Sequence, residues 1–134
     1  MPGERSKCPM AHVLDIVGDR WTLLVIRDIG MFGRTSFSEI LAAPESISPS
    51  TLTARLDMLV CEKLITKTPV VGGPGRQFRY ELTERGADLL PLLAKMMQWS
   101  ARHDPNTIVS AALRKRLERD FDATVEELRS TAAK

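Results

Sequence analysis

The sequence predicts a mainly α-helical domain carrying one small β-hairpin, an α+β class, and three observations predict it. Apolar residues recur at three- and four-residue spacing in several separate stretches. Helix-start chemistry precedes two of them, at Ser36 with Glu39 and at Ser48 with Pro49. One stretch, "LITKTPVVGGPGRQFRYELT", instead alternates β-branched and polar residues on either side of a Gly/Pro tip, the pattern of two short strands.

The chain has 134 residues, enough for one domain and a short appendage, divided here into residues 1–103 and 104–134. At 43% hydrophobic and 27% charged residues the composition is that of a soluble globular protein. No apolar run approaches the roughly 20 residues of a membrane span. The opening "MPGERSKCPM" lacks the apolar core of a secretory signal, so a cytoplasmic protein without a membrane partner is expected. Cys8, Cys61, His12 and His103 form no CxxC pair and no Cys/His spacing that would hold zinc, and neither metal nor cofactor is expected. GxSxG, HExxH and GxxxxGK[ST] patterns are all missing, which weighs against an enzyme. A net charge of +2 permits nucleic-acid binding without arguing for it.

Taken in order, Val13, Leu14, Ile16 and Val17 precede Gly18, and Trp21, Leu23, Leu24, Val25 and Ile26 follow it. This density predicts two helices, or one interrupted helix, buried on much of their circumference as core or subunit interface. In "GRTSFSEILAA" the Ser36 hydroxyl and Glu39 carboxylate make a capping box, with Phe37, Ile40 and Leu41 as the apolar face of a short helix. After "PESI", Ser48 and Pro49 start another helix, whose core stripe is Leu52, Leu56, Leu59 and Val60. Ser50, Thr51, Thr53, Ala54 and Arg55 lie off that stripe. Capping alone accounts for small hydroxyl residues at a helix start. The same residues would also let the helix approach a DNA major groove and donate hydrogen bonds.

The hairpin adds Lys63, Lys67, Arg76 and Arg79, with no acidic residue from position 63 to 80. A basic hairpin directly after a helix–turn–helix is a wing. "GGPG" is not read as a phosphate loop, because the chain continues into strand-like "RQFRYEL" rather than a helix start. "ERGADLLPLLAKMMQWSARH" then sets Leu89, Leu90, Leu92, Leu93, Met96, Met97 and Trp99 on a long helix with Pro91 in its first turns. Beyond "DPNT", Leu113, Leu117, Phe121, Val125 and Leu128 predict an amphipathic helical extension.

Several motifs in order carry a family resemblance from residue 8 to about residue 99: "CP" at 8–9, "GDRWTLLVIRDI" at 18–29, "GRTSFSEI" at 33–40, "ISPSTLTARLDML" at 47–59 and "RYELTERG" at 79–86, closing with Trp99. The chain resembles the HxlR-type winged helix-turn-helix transcriptional regulators, relatives of the MarR-like group. The resemblance implies N- and C-terminal dimerisation helices, and a homodimer that binds a palindromic double-stranded DNA operator, most often as a repressor. It also implies that the helix at 48–59 enters the major groove while the hairpin at 66–82 lies along the backbone or minor groove. The implied DNA contacts are Ser48, Ser50, Thr51, Thr53 and Arg55, with Arg76 and Arg79 in the wing and Arg34 on a phosphate.

Two departures matter. Relatives usually carry Gly between this helix and the first wing strand, where Lys63 stands, so a left-handed C-cap would hold a non-glycine residue. Many also carry a long polar or basic residue where Ser50 or Ala54 sits, so base readout cannot be transferred. Cys8 is a redox-sensing candidate: it precedes Pro9 at a helix start, near Arg5, Lys7 and His12, influences that favour a thiolate. Some members of the family use a cysteine at the matching position to sense oxidants or electrophiles. The alternative is a thiol packed in the dimer interface, with a small-molecule effector instead. Cys61 is expected to pack near Leu59 and Leu64. A winged-helix module that binds protein rather than DNA is the other function class, favoured by the low net charge.

Overall fold

The structure, a computed structural model, describes residues 6–73, 75–104, 106, 123, 126 and 127. Its elements run α1 (Pro9–Val17), α2 (Thr22–Met31), α3 (Phe37–Leu41), α4 (Pro49–Cys61), β1 (Ile65–Pro69), β2 (Phe78–Leu82), α5 (Glu84–Ala87) and α6 (Leu90–His103). The extension expected beyond "DPNT" falls outside the described residues.

Local chemistry places the helix starts where the sequence predicts them. Ser36 Oγ accepts from the Glu39 amide while Glu39 Oε1 accepts from the Ser36 amide, closing the capping box of α3. Ser48 Oγ accepts from the Thr51 amide, and Pro49 opens α4 without leaving a donor unpaired. Asp19 does the corresponding work for α2: its carboxylate accepts from the amides of Trp21 and Thr22 and from the Thr22 hydroxyl. Gly18 therefore ends one helix before a second begins, and the two are separate.

α2 is the hub, packing against β2, α6, α3 and α4. Ile26, Ile40, Leu52, Leu56, Leu59 and Leu90 are fully buried around it. Of the two first helices expected in the core or a subunit interface, α2 joins the core of the protomer with Val25, Ile26 and Ile29 buried, whereas α1 does not. There only Val17 is buried, and Met10, Val13 and Leu14 are exposed. The long helix expected after the hairpin is α6, which carries Pro91 in its first turn as expected and is preceded by the separate short α5.

β1 and β2 pair antiparallel, with Ile65 opposite Leu82, Lys67 opposite Tyr80 and Pro69 opposite Phe78. The Tyr80 amide also donates to the Thr35 carbonyl (2.8 Å), tying the base of the hairpin to the turn before α3. Gly86 lets α5 close against the strand start: a Cβ there would stand 2.0 Å from the Leu64 carbonyl oxygen. The hairpin is thus tied to the helices on either side of it in the chain.

Candidate nucleic-acid interface

α4 turns its core stripe inward with Leu52, Leu56 and Leu59 buried, which fixes the direction of every other side chain on it. At about 100° per residue, Ser50, Ala54, Asp57 and Cys61 lie roughly 140–200° around the helix from Leu52, the outward line. All four are exposed, as are Ser48 and Thr53. Val60 is 37% exposed rather than part of the core stripe, and Cys61 is an exposed free thiol rather than a packing residue. Both corrections follow from phase: Leu52, Leu56 and Leu59 centre the stripe, Val60 falls about 80° to one side of Leu52, and Cys61 falls opposite.

The hydroxyl groups at the start of α4 form a connected set. Ser48 Oγ donates to Thr51 Oγ1 (2.8 Å), and Thr53 Oγ1 donates to the Pro49 carbonyl (2.9 Å). Ser50 Oγ lies 3.4 Å from Ser48 Oγ. The surface so formed is polar, shallow and free of long side chains.

Arg55 behaves differently. It falls about 60° from the centre of the core stripe, not on the outward line. Its guanidinium reaches Asp19 at the start of α2 (3.6 Å), and its side chain is 32% exposed. Asp19 is partly buried, which pushes its carboxyl up, but hydrogen bonds from Thr22 and Trp21 and the Arg55 charge outweigh burial and hold it below the usual range. Arg34 is likewise engaged: its guanidinium donates to Asp28 (2.8 Å) and stacks 4.9 Å from the Phe32 ring centre. Asp28, only 2% exposed, also accepts from Arg27 Nε and a terminal nitrogen, and Arg27 reaches on to both Glu45 oxygens. This ionic cluster joins α2 to the segments before α3 and α4, and so fixes their relative angle.

The hairpin carries the freer cations. Arg76 is exposed beside the tip, and Arg79 is exposed with a 3.4 Å approach to Glu81. Lys67 lies 4.2 Å over the Phe78 ring. Between hairpin and α3, a groove of about 410 Å³ is lined by Ser36, Ser38, Arg76, Gln77 and the rings of Phe37, Phe78 and Tyr80. The structure therefore groups Ser48, Ser50, Thr51 and Thr53 on one helix end and Arg76 with Arg79 on the hairpin, and sets Arg34 and Arg55 into ion pairs. Sequence reasoning missed Asp57, which the helical phase of Leu52 and Leu56 was sufficient to place on the outward line.

Cys8 is the N-cap of α1 and is exposed. The backbone N–H groups of Ala11 and Met10 hold its thiol below the usual cysteine value. A cavity of about 140 Å³ opens one turn further along α1, between His12, Val13, Ile16 and Val17 on one side and Leu64, Arg85 and Leu89 on the other. Among the described residues no group of three or more His, Cys, Asp or Glu could hold a metal ion, and no helix is long and apolar enough to cross a membrane.

Residues 16–107 match the family model of the HxlR-like helix-turn-helix. An uncharacterized HTH-type transcriptional regulator of Mycobacterium tuberculosis is 38% identical over 96 residues, which are 72% of this chain and 59% of that relative. The chain thus spans about three-fifths of the length of that curated protein. The crystal structure of PA1607 superposes with a TM-score of 0.68 at 32% identity, covering 79% of this chain and 73% of the other. The reduced form of the transcriptional regulator YodB from Bacillus subtilis superposes at 0.60 with 27% identity, covering 76% of this chain and 100% of YodB, a regulator also solved quinone-bound.

Proposed function

The chain belongs to the HxlR-like helix-turn-helix family, and on that premise we propose that it is a transcriptional regulator rather than an enzyme, a cytoplasmic homodimer that represses from a palindromic double-stranded DNA operator. The observation that carries the reading is the pairing of α4, whose outward N-terminal face holds only short polar side chains, with an adjoining hairpin that carries exposed Arg76 and Arg79. Helices of this build read base edges, while cations on a hairpin bind phosphates without reading sequence. Ser48, Ser50, Thr51 and Thr53 then face the major groove. Arg34 contributes its one-third-exposed edge to a phosphate, and Arg55 steadies α4 against α2 rather than reaching a base.

We assign the signal to Cys8, an exposed thiol with a depressed pKa at the start of α1, with an oxidant or electrophile as effector. That YodB has been solved both diamide-treated and quinone-bound supports an oxidant or electrophile as the class of effector. A protein-binding module is the second reading, favoured by the net charge of +2.

An electrophoretic shift on the DNA flanking the gene for this chain separates the two. A specific shift is expected, and none under low salt would overturn DNA binding in favour of the protein module. Arg76→Ala and Arg79→Ala should each weaken operator and random DNA alike and lower the salt slope by about 1. Peroxide or quinone should change the shift of the native protein and not of Cys8→Ser.

A further inference from the structure

α4 carries two charged side chains, Arg55 and Asp57. Because Arg55 is turned to Asp19, the outward face of the helix keeps a single charge, and that charge is negative. Asp57 is exposed, and among the described residues no hydrogen bond or ion pair engages its carboxylate. It stands between Ala54 and Cys61 on the outward line, three residues from Ala54, whose methyl group cannot screen it. Burial, and after it the Asp57 charge, pushes the Tyr80 phenol up.

A carboxylate placed against DNA has no donor to offer a phosphate and is repelled by it. Among major-groove edges only the cytosine N4 and adenine N6 amines donate, and the adenine amine sits beside the N7 acceptor, which opposes a carboxylate. Resting on the DNA-binding reading above, we infer that Asp57 is a specificity-determining residue that selects a C·G pair through the cytosine amine and penalises duplex that lacks it there. The same charge lowers affinity for random DNA, which the modest net charge of the chain already keeps low.

The test is selection of binding sites from a randomised duplex library with the full native chain, Asp57→Asn and Asp57→Ala. Asp57 is exposed, and equal thermal midpoints would verify the folding of both variants. The native protein should enrich cytosine at one position of each half-site. Asp57→Asn should shift that position towards adenine, which an amide reads in a bidentate manner, and Asp57→Ala should relax it by about tenfold. All other positions should be unchanged. Identical preferences in the three proteins would overturn the assignment and leave DNA binding standing, as would a uniform rise in affinity without a change of preference. Failure of the native protein to enrich any sequence would overturn the DNA-binding reading itself.

Discussion

A cysteine at a helix N-cap faces backbone N–H groups that have no helical partner, and such groups favour the anion over the thiol. Cys8 occupies that position, with Ala11 and then Met10 lowering its pKa. Because the folded value is depressed, the reactive thiolate is present at lower pH than in an ordinary cysteine. In a Cys61→Ser background, the rate of iodoacetamide alkylation should therefore rise with pH around a midpoint below the usual value of about 8.5. A midpoint at or above that value would contradict the assignment. The position of Cys8 was legible because a Cys-Pro step before an apolar run is a local signal. The exposure of Cys61 was not read correctly, since nearness in sequence to Leu59 and Leu64 was weighed above the half-turn that separates it from Leu52.

Between elements, the caps and the hairpin follow from residues a few positions apart, and the sequence shows them. The ties between α2, α3 and α4 depend on partners far apart in the chain, such as Arg27 with Glu45 and Arg55 with Asp19, and no periodicity marks them. Asp28→Ala should leave two guanidinium groups facing a buried void and cost roughly 3 kcal/mol in denaturant unfolding. Glu45 is held below its ordinary value by Arg27, so its contribution is present at neutral pH and is lost as pH falls through the folded value. Glu45→Gln should accordingly flatten the acid limb of the stability profile. The end of α4 shows a sequence departure becoming geometry. Lys63 adopts φ 61°, its amide donates to the Val60 carbonyl, and the Leu64 amide donates to the Leu59 carbonyl, a Schellman closure with a lysine in the left-handed position. Lys63→Gly should relieve that strain and raise stability by about 1 kcal/mol, measured by the same unfolding assay. An unchanged or lower midpoint would show that the lysine side chain offsets the strain.

At the scale of the molecule, α1 poses the decisive problem. A helix of nine residues is marginal in water by itself, and α1 buries only Val17 within its own chain. Met10 at 69% and Leu14 at 49% exposure leave an apolar line uncovered, and α6 leaves another at Met96 and Trp99. The proposed second copy would cover both faces, and the proposed palindromic operator would need two α4 helices held about 34 Å apart. Light scattering should find a dimer at micromolar concentration, and a monomer there would sink the proposal. Met96→Glu with Trp99→Glu should produce the monomer while leaving the core around Ile26 and Leu56 intact, since both side chains already face solvent within the protomer. Linked half-sites gain about a hundredfold or more in affinity from simultaneous engagement. The double variant should lose that factor on the full operator and bind an isolated half-site as the native protein does. Equal losses on both DNAs would instead place Met96 and Trp99 in the folding of the domain and not in its assembly.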